Sequence, residues 1–189
     1  MADLDSDAIV IAGTVSLNVA PDGTPMPTSL SDELDAAFLQ LGFSTLDGVQ
    51  FSDTKTVEGV KAHQVFYDLR RFVTERASSA VLTLLQWDAD TIPFAFGGGA
   101  ITEPSPGEFR YTPPDPGDID ERALVLDIVD GDRNIRIAIP KGMVSSNTDS
   151  TFARTGPALL PITFDVLGVD GTPPWTMDSD DPAWAPTGS

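Results

Sequence analysis

The strongest constraint on the fold is a stretch of strand-forming residues, interrupted by turn residues, between Val60 and Gly99. Two runs rich in β-branched and aromatic residues, Val65–Glu75 and Ala80–Trp87, flank the small polar segment Arg76–Ser79. Runs of this composition on either side of a turn are typical of a β-hairpin. We therefore predict a hairpin here, in a chain that folds mainly into β-structure.

The same pattern recurs along the chain. Apolar residues alternate on both sides of an Asp-Gly-Asp turn and predict a second hairpin over Arg122–Pro140. Single strands are predicted over Ala8–Val19, Glu108–Thr112 and Ala158–Leu167. The 16 glycines and 16 prolines among 189 residues indicate many turns, which favours short strands over long helices.

One segment has the periodicity of a helix. Leu30, Leu34, Phe38 and Leu41 recur at helical spacing, with acidic residues in the first turns and Gly42 after the last. We predict a helix over Leu30–Leu41 that flanks a β-sandwich of two packed antiparallel sheets.

The length of the chain fits one domain, which we place at residues 1–168. Residues 169–189 form an acidic, proline-rich tail, too short to fold alone, whose Trp175 and Trp184 we expect to dock on a neighbour. Residues 1–7 are acidic, whereas a signal peptide starts with a basic segment. We therefore expect the protein to be made in the cytoplasm and not exported.

Charge is distributed unevenly. The chain has 29 acidic and 11 basic residues, and every basic residue lies between Lys55 and Arg154. Three explanations stay open: a solvated acidic surface, contact between the acidic ends and the more basic middle of another copy, or a surface that repels nucleic acid. Direct DNA binding is disfavoured because it depends on lysine and arginine at the phosphates.

The segment Asp53–Gln64 is polar and lacks dense apolar periodicity. We interpret it as an extended arm or a long hairpin loop, because long loops in compact domains are usually functional or disordered.

No pattern of reactive residues indicates catalysis. His63 is the single histidine and there is no cysteine, which excludes a zinc site with several histidines or any thiolate ligand. Asp130, Asp132 and Asn134 have the spacing of a calcium loop, but Ile135 and Lys141 stand where that loop needs glycine and glutamate. We expect no catalytic residue, no cofactor and no bound metal.

The order of several motifs is similar to that of a known family. The chain reads PxGTPxPTxL, SDELDAAFLQLGF, LDGVQFS, TVEGVKAHQ, FVTE, LLQW and AFGGG over about Ile9–Gly99. It thereby resembles the major tail tube protein of long-tailed siphophages, particularly those of actinobacteria. The resemblance implies a structural protein of the virion. It also implies a subunit whose inner strands join into a ring-wide β-barrel when six copies form a ring.

The resemblance further implies stacked rings that form a hollow tube around a tape measure protein. The other expected partners are a tail terminator and a distal tail protein, with no membrane, and DNA passes through the lumen without specific binding. By this resemblance the arm reaches the adjacent ring through Lys55, Val57, Glu58, Val60, Lys61 and His63. The candidate lumen acids are Asp68, Glu75, Asp127 and Asp165. The alternative left open is a monomeric acidic β-sandwich that binds carbohydrate or protein.

Overall fold

The computed structural model describes residues 8–147 and 149–186, so the acidic start of the chain lies outside the described residues. The described part is mainly β, as predicted. Its strands are β1 Thr14–Pro21, β2 Leu39–Leu41, β3 Gln50–Ala62, β4 Val65–Leu84, β5 Ala100–Ser105, β6 Glu108–Thr112, β7 Glu121–Asp130, β8 Arg133–Asn147, β9 Leu160–Val166 and β10 Thr176–Ser179. A short helix, α1, spans Thr91–Ala95, and a 3-10 turn spans Pro182–Trp184.

One antiparallel sheet carries most of the strands. Its order is β2-β1-β7-β8-β9-β4-β3, and β10 pairs with β8 beside β9. β5 and β6 form a separate two-stranded sheet. The large sheet folds over on itself, because side chains of β1 and β7 share one core with side chains of β4 and β9. The two expected layers are therefore two halves of one sheet.

The core contains the alternate residues of the paired strands. Leu17, Leu82, Leu124 and Phe164 are each at most 1% exposed. The predicted Arg122–Pro140 hairpin is confirmed, since β7 and β8 pair in register from the turn outward. Apolar alternation located these strands because Leu124, Leu126, Ile137 and Ile139 all lie on the face that packs into the core.

The predicted helix over Leu30–Leu41 is wrong, because its first turn is held in a different conformation. The carboxylate of Asp32 accepts hydrogen bonds from the amide and hydroxyl of Thr28 and from the hydroxyl of Ser29. Local bonds of this kind compete with helix formation. These bonds, the Thr28 hydroxyl first, lower the pKa of Asp32 from 3.8 to about 2.

Distant partners hold the rest of this segment. The Arg136 guanidinium donates to the carbonyl oxygens of Ser29 and Asp32, at 3.0 and 2.9 Å. At the other end, Leu41 is buried in β2 opposite Leu17. The backbone groups that a helix would use are therefore bonded elsewhere.

The predicted hairpin between Val65–Glu75 and Ala80–Trp87 is also wrong. The proposed corner Arg76–Ser79 lies inside β4, which runs without a break to Leu84. The partner of β4 is β3, and the predicted loop Asp53–Gln64 supplies most of β3 and the turn. The side chains of Arg76, Ser78 and Ser79 form hydrogen bonds across to β3.

The segment after residue 168 packs onto the rest of its own chain. β10 pairs with the first half of β8, and the Trp175 ring meets Phe51 edge to face at 5.0 Å. Trp175 thus docks within its own subunit, while Trp184 is 47% exposed. The boundary at residue 168 stays a prediction.

Candidate assembly surface

The hairpin of β3 and β4 extends beyond the body of the subunit. β9 covers β4 only from Ser79 to Leu84. In the part of β4 that precedes Ser79, β3 is the single strand partner among the described residues, and β3 in turn pairs only with β4. We call residues Asp53–Ser78 the arm. It is a two-stranded ribbon with two unpaired edges, and unpaired strand edges are templates for pairing with another chain.

Large apolar side chains are exposed on both faces of the arm. Val57 pairs with Val73 on one face, and each is at least half exposed. Val60 and Phe72 are exposed on the other face. A monomer rarely exposes a contiguous apolar surface of this kind unless the surface binds a partner.

The tip of the arm bulges on one strand. Val60 pairs with Arg70, but the next pair is Ala62 with Val65, so one residue of β3 lies opposite four residues of β4. The extra residues leave the ladder, as in a large β-bulge. Three of them form the knob, a cluster of exposed side chains that consists of Phe66, Tyr67 and Leu69.

The fourth bulged residue, Asp68, turns back over the ribbon. A side chain at Gly59 would collide with its carboxylate, so glycine leaves the space that Asp68 occupies. The Nε of Arg71 donates to Asp68 at 3.0 Å. Asp68 thus packs over Gly59 beside the exposed Arg71 side chain.

The root of the arm is held by hydrogen bonds around one carboxylate. Arg76 donates to both oxygens of Asp53, and the hydroxyl of Ser78 donates to Asp53 at 2.7 Å. Hydrogen bonds from Arg76 and then from Ser78 lower the pKa of Asp53 from 3.8 to about 2. The root is therefore held at neutral pH by an ionised Asp53.

The predicted arm residues all lie on β3 or in the turn after it. Lys55 and Val57 lie on the face that continues the core side of the sheet, while Glu58 and Val60 lie on the opposite, outer face. Lys61 precedes the turn, and exposed His63 lies in the turn. Their roles in assembly stay predictions.

Two of the four candidate lumen acids share the outer face. Ser79 pairs with Asp165 of β9, and Glu75 lies four residues before Ser79 on the same side of β4. Thr56 pairs with Glu75, so Glu58, two residues along β3, joins this face. The structure thus places Glu58, Glu75 and Asp165 on one face of the sheet, which also carries Val60, Phe72 and Arg70 toward the arm tip.

The other two candidate lumen acids lie elsewhere. Asp68 lies at the arm tip with Arg71. Asp127 of β7 accepts from Arg136 Nε at 2.6 Å, and the Arg136 side chain is only 11% exposed. The carboxylate of Asp127 therefore holds the guanidinium that binds the Ser29–Asp32 segment.

The arm differs in charge from the rest of the chain. Its 26 residues include five basic and four acidic side chains, a net charge of +1, while the remaining residues have six basic and 25 acidic side chains, a net charge of −19. Among the described residues, three of the five basic side chains of the arm make no ion pair (Lys55, Lys61 and Arg70), whereas four of the six of the body are paired (Arg122, Arg133, Arg136 and Lys141). The arm of one copy is thus complementary in charge to the body of another.

Sequence analysis predicted a strand over Val65–Glu75 but missed that this strand continues through Ala77 and pairs with β3. Its apolar and charged residues do not alternate, so neither face of the strand is consistently apolar. A strand with one buried face would alternate. Asp53–Ala62 also lacks alternation of apolar and polar residues. Two neighbouring strands without alternation were the available signal for a ribbon that leaves the body.

Nothing in the described ranges resembles a metal centre, since no group of three or more His, Asp or Glu side chains is arranged to hold an ion. None of the helices in these ranges is long and apolar enough to cross a membrane.

Comparison with known proteins identifies a family along nearly the whole chain. A family model described as phage tail tube protein matches residues 2–188. A solved structure described as the virion of native gene transfer agent (GTA) particle aligns at 15% identity with a TM-score of 0.41, covering 87% of this chain and 95% of that chain. The curated proteins contain no match.

Proposed function

This chain belongs to the phage tail tube protein family, a structural family of the phage virion, and from this premise we propose that it polymerises as stacked hexameric rings. The stacked rings form the hollow tail tube. The tube encloses a tape measure protein, ends at a tail terminator and a distal tail protein, and conducts DNA into the host.

The observation that carries the proposal is the arm. Its two free edges, and the apolar side chains exposed on both of its faces, are left uncovered by the subunit itself. In the proposed ring, the edge of β3 in one copy pairs with the free edge of β4 in the next. Six such ribbons close into a barrel, and closure removes the exposed edges.

The outer face of the sheet supplies the proposed lining of the lumen. It carries Glu58, Glu75 and Asp165 with small polar residues such as Ser52 and Thr54, and Arg70 is its single basic residue on β3 and β4. Phosphates that pass such a surface find few cations, so no counterions are released and DNA does not adhere. In this proposal Asp68 belongs to the contacts of the arm tip, and Asp127 has a structural role within the subunit.

The test is assembly of the full chain and of a variant with a shortened arm. Both strands must be shortened together, because removal of residues 53–64 alone leaves β4 without its partner. The variant replaces residues 55–76 with Asn-Gly. As a matched control, the exposed hairpin of β5 and β6 is shortened by replacing residues 103–109 with Asn-Gly.

Mass measurement in solution and negative-stain electron microscopy give the outcome. We expect six-fold rings or hollow tubes from the full chain and the control, and folded monomers from the variant with the shortened arm. Normal tubes from that variant would contradict the role of the arm. A full chain that stays monomeric even beside the tail's initiating proteins would favour the alternative, a monomeric acidic binding module.

A further inference from the structure

A groove lies at the end of β4 opposite to the arm tip. The segment that follows β2 crosses to β4, where the amide of Leu85 donates to the carbonyl of Phe43 at 2.8 Å and the amide of Thr45 donates to Thr83 at 3.0 Å. Between this segment and the start of β1 is a groove of about 670 Å³. We call it the β1 groove.

The wall of the β1 groove is held in place. A side chain at Gly42 would collide with Gln86, whose Oε1 accepts from the Phe43 amide at 3.0 Å. The groove is partly apolar, with Val15, Val49 and Ile128 among its lining residues. Phe43 and Leu46 stand at its rim and are 77% and 107% exposed.

We propose that the β1 groove binds the knob of a second copy, that is, Phe66, Tyr67 and Leu69 of its arm. This inference rests on the proposed function, and it names the surface on which the arm docks. Aromatic side chains seated in a pocket dominate the energy of many interfaces. The volume of the groove falls in the range of roughly 300–1,000 Å³ that is common for sites that hold a small ligand, which leaves room for aromatic side chains.

The position of the two surfaces explains why the occupant is a second copy. The knob ends at Leu69 and the groove segment bonds to β4 beside Leu84, so about 15 residues at roughly 3.3 Å per residue separate them by about 50 Å. The knob cannot reach its own groove across this rigid strand. A contact between opposite ends of two copies is heterologous, and repetition of such a contact generates an open filament.

Charge supports the same partner. Lys61 and Arg70 lie beside the knob without an ion pair among the described residues, and Asp47 lines the groove. The body that carries the groove has a net charge of −19 apart from its arm. Docking of the arm therefore brings unpaired cations to an acidic surface.

Cross-linking tests the contact directly, because the chain has no native cysteine. Leu69→Cys keeps the two aromatic residues of the knob, and Leu46→Cys lies at the rim of the groove; both positions are exposed. Tubes of the double variant, treated with a short bismaleimide, should give a ladder of covalent oligomers. Mixed tubes of the two single variants should give dimers only, and Thr54→Cys with Leu46→Cys is the matched control without a ladder.

Failure of the inference is distinguishable from failure of the proposed function. Tubes without the cross-link between positions 69 and 46, or with a cross-link inside single chains, would overturn the inference and leave polymerisation intact. Absence of rings and tubes from the unmodified chain would overturn both.

If the cysteine variant does not assemble, a second pair of variants tests the same contact. Leu46→Glu should lower the tube yield at least tenfold while the monomer stays folded, and Ile119→Glu, an equally drastic change at another exposed site, should not. Equal yields from these two variants would overturn the inference.

Discussion

The indole Nε1 of Trp175 donates a hydrogen bond to the hydroxyl of Ser78 at 3.1 Å, across 97 positions of sequence. The Ser78 hydroxyl donates in turn to Asp53. The C-terminal segment is thereby connected to the root of the arm. This connection means that the direction of the arm depends on residues that follow the last strand of the core.

Removal of this hydrogen bond should loosen the root. Trp175→Phe keeps the ring against Phe51 but lacks the donor, and we expect a loss of about 0.5–1.5 kcal/mol in the free energy of unfolding. Urea titration gives this value, and hydrogen exchange of the arm amides should accelerate. Trp184→Phe is the control, since Trp184 is 47% exposed. An equal effect of both changes would contradict the role of Trp175.

The root should also depend on pH through Asp53. Its pKa is lowered from 3.8 to about 2 in the folded chain by the bonds from Arg76 and Ser78. A depressed pKa means that the contribution is complete above about pH 4 and is lost as the pH falls toward 2. Hydrogen exchange of the arm amides should therefore accelerate across this window in the native chain. Asp53→Asn should remove most of that change and Asp47→Asn should not; the same profile in all three proteins would refute the assignment.

Arg136 should contribute far more to the free energy of unfolding than an exposed arginine does. It is 11% exposed and binds Asp127 and two carbonyl oxygens. Arg136→Met leaves these acceptors without a donor, and we expect a loss of about 2–4 kcal/mol. Arg71→Met removes an ion pair whose arginine is 73% exposed, so we expect less than about 1 kcal/mol. Urea unfolding of both variants decides whether this contrast exists.

Two glycines should differ in their tolerance of alanine. A Cβ at Gly142 would meet the buried ring of Phe164 and the carbonyl oxygen of Asp165, and overpacking of this kind costs about 1–3 kcal/mol. At Gly59 the neighbour is the carboxylate of Asp68, which can rotate away, so we expect a change below about 0.5 kcal/mol. Thermal unfolding measures both, and equal effects would show that the packing around Gly142 is loose.

Positive charge on the outer face should slow DNA passage without preventing assembly. Glu58→Lys with Glu75→Lys introduces cations where the proposal places the lumen. We expect normal tubes and slower genome ejection at low salt, with recovery at higher salt as counterions screen the contact. Glu33→Lys with Glu108→Lys makes the same change of net charge elsewhere. Unchanged ejection in the first variant would contradict an outer face that lines the lumen.

Local sequence pattern determined the strands whose large apolar residues alternate toward the core of the subunit. Leu124 and Leu126 alternate along β7, and Gly131 at φ 61° permits the turn that pairs this strand with β8. Strand β6 was predicted with its observed bounds, and β9 lies inside its predicted range. The resemblance to tail tube proteins also came from the sequence alone, because it depends on the order and spacing of motifs along the chain.

Only the tertiary structure decided the rest, since the deciding contacts are remote in sequence. The helical periodicity of Leu30–Leu41 is real, yet Arg136, about a hundred residues away, binds the carbonyls that a helix needs. The segment Asp53–Gln64 was interpreted as an arm or loop, but its pairing with β4 was missed for a related reason. Alternation in a strand reports which face is buried in the subunit, and the arm buries neither face there, so its course is visible only once β3 and β4 are seen to leave the body together.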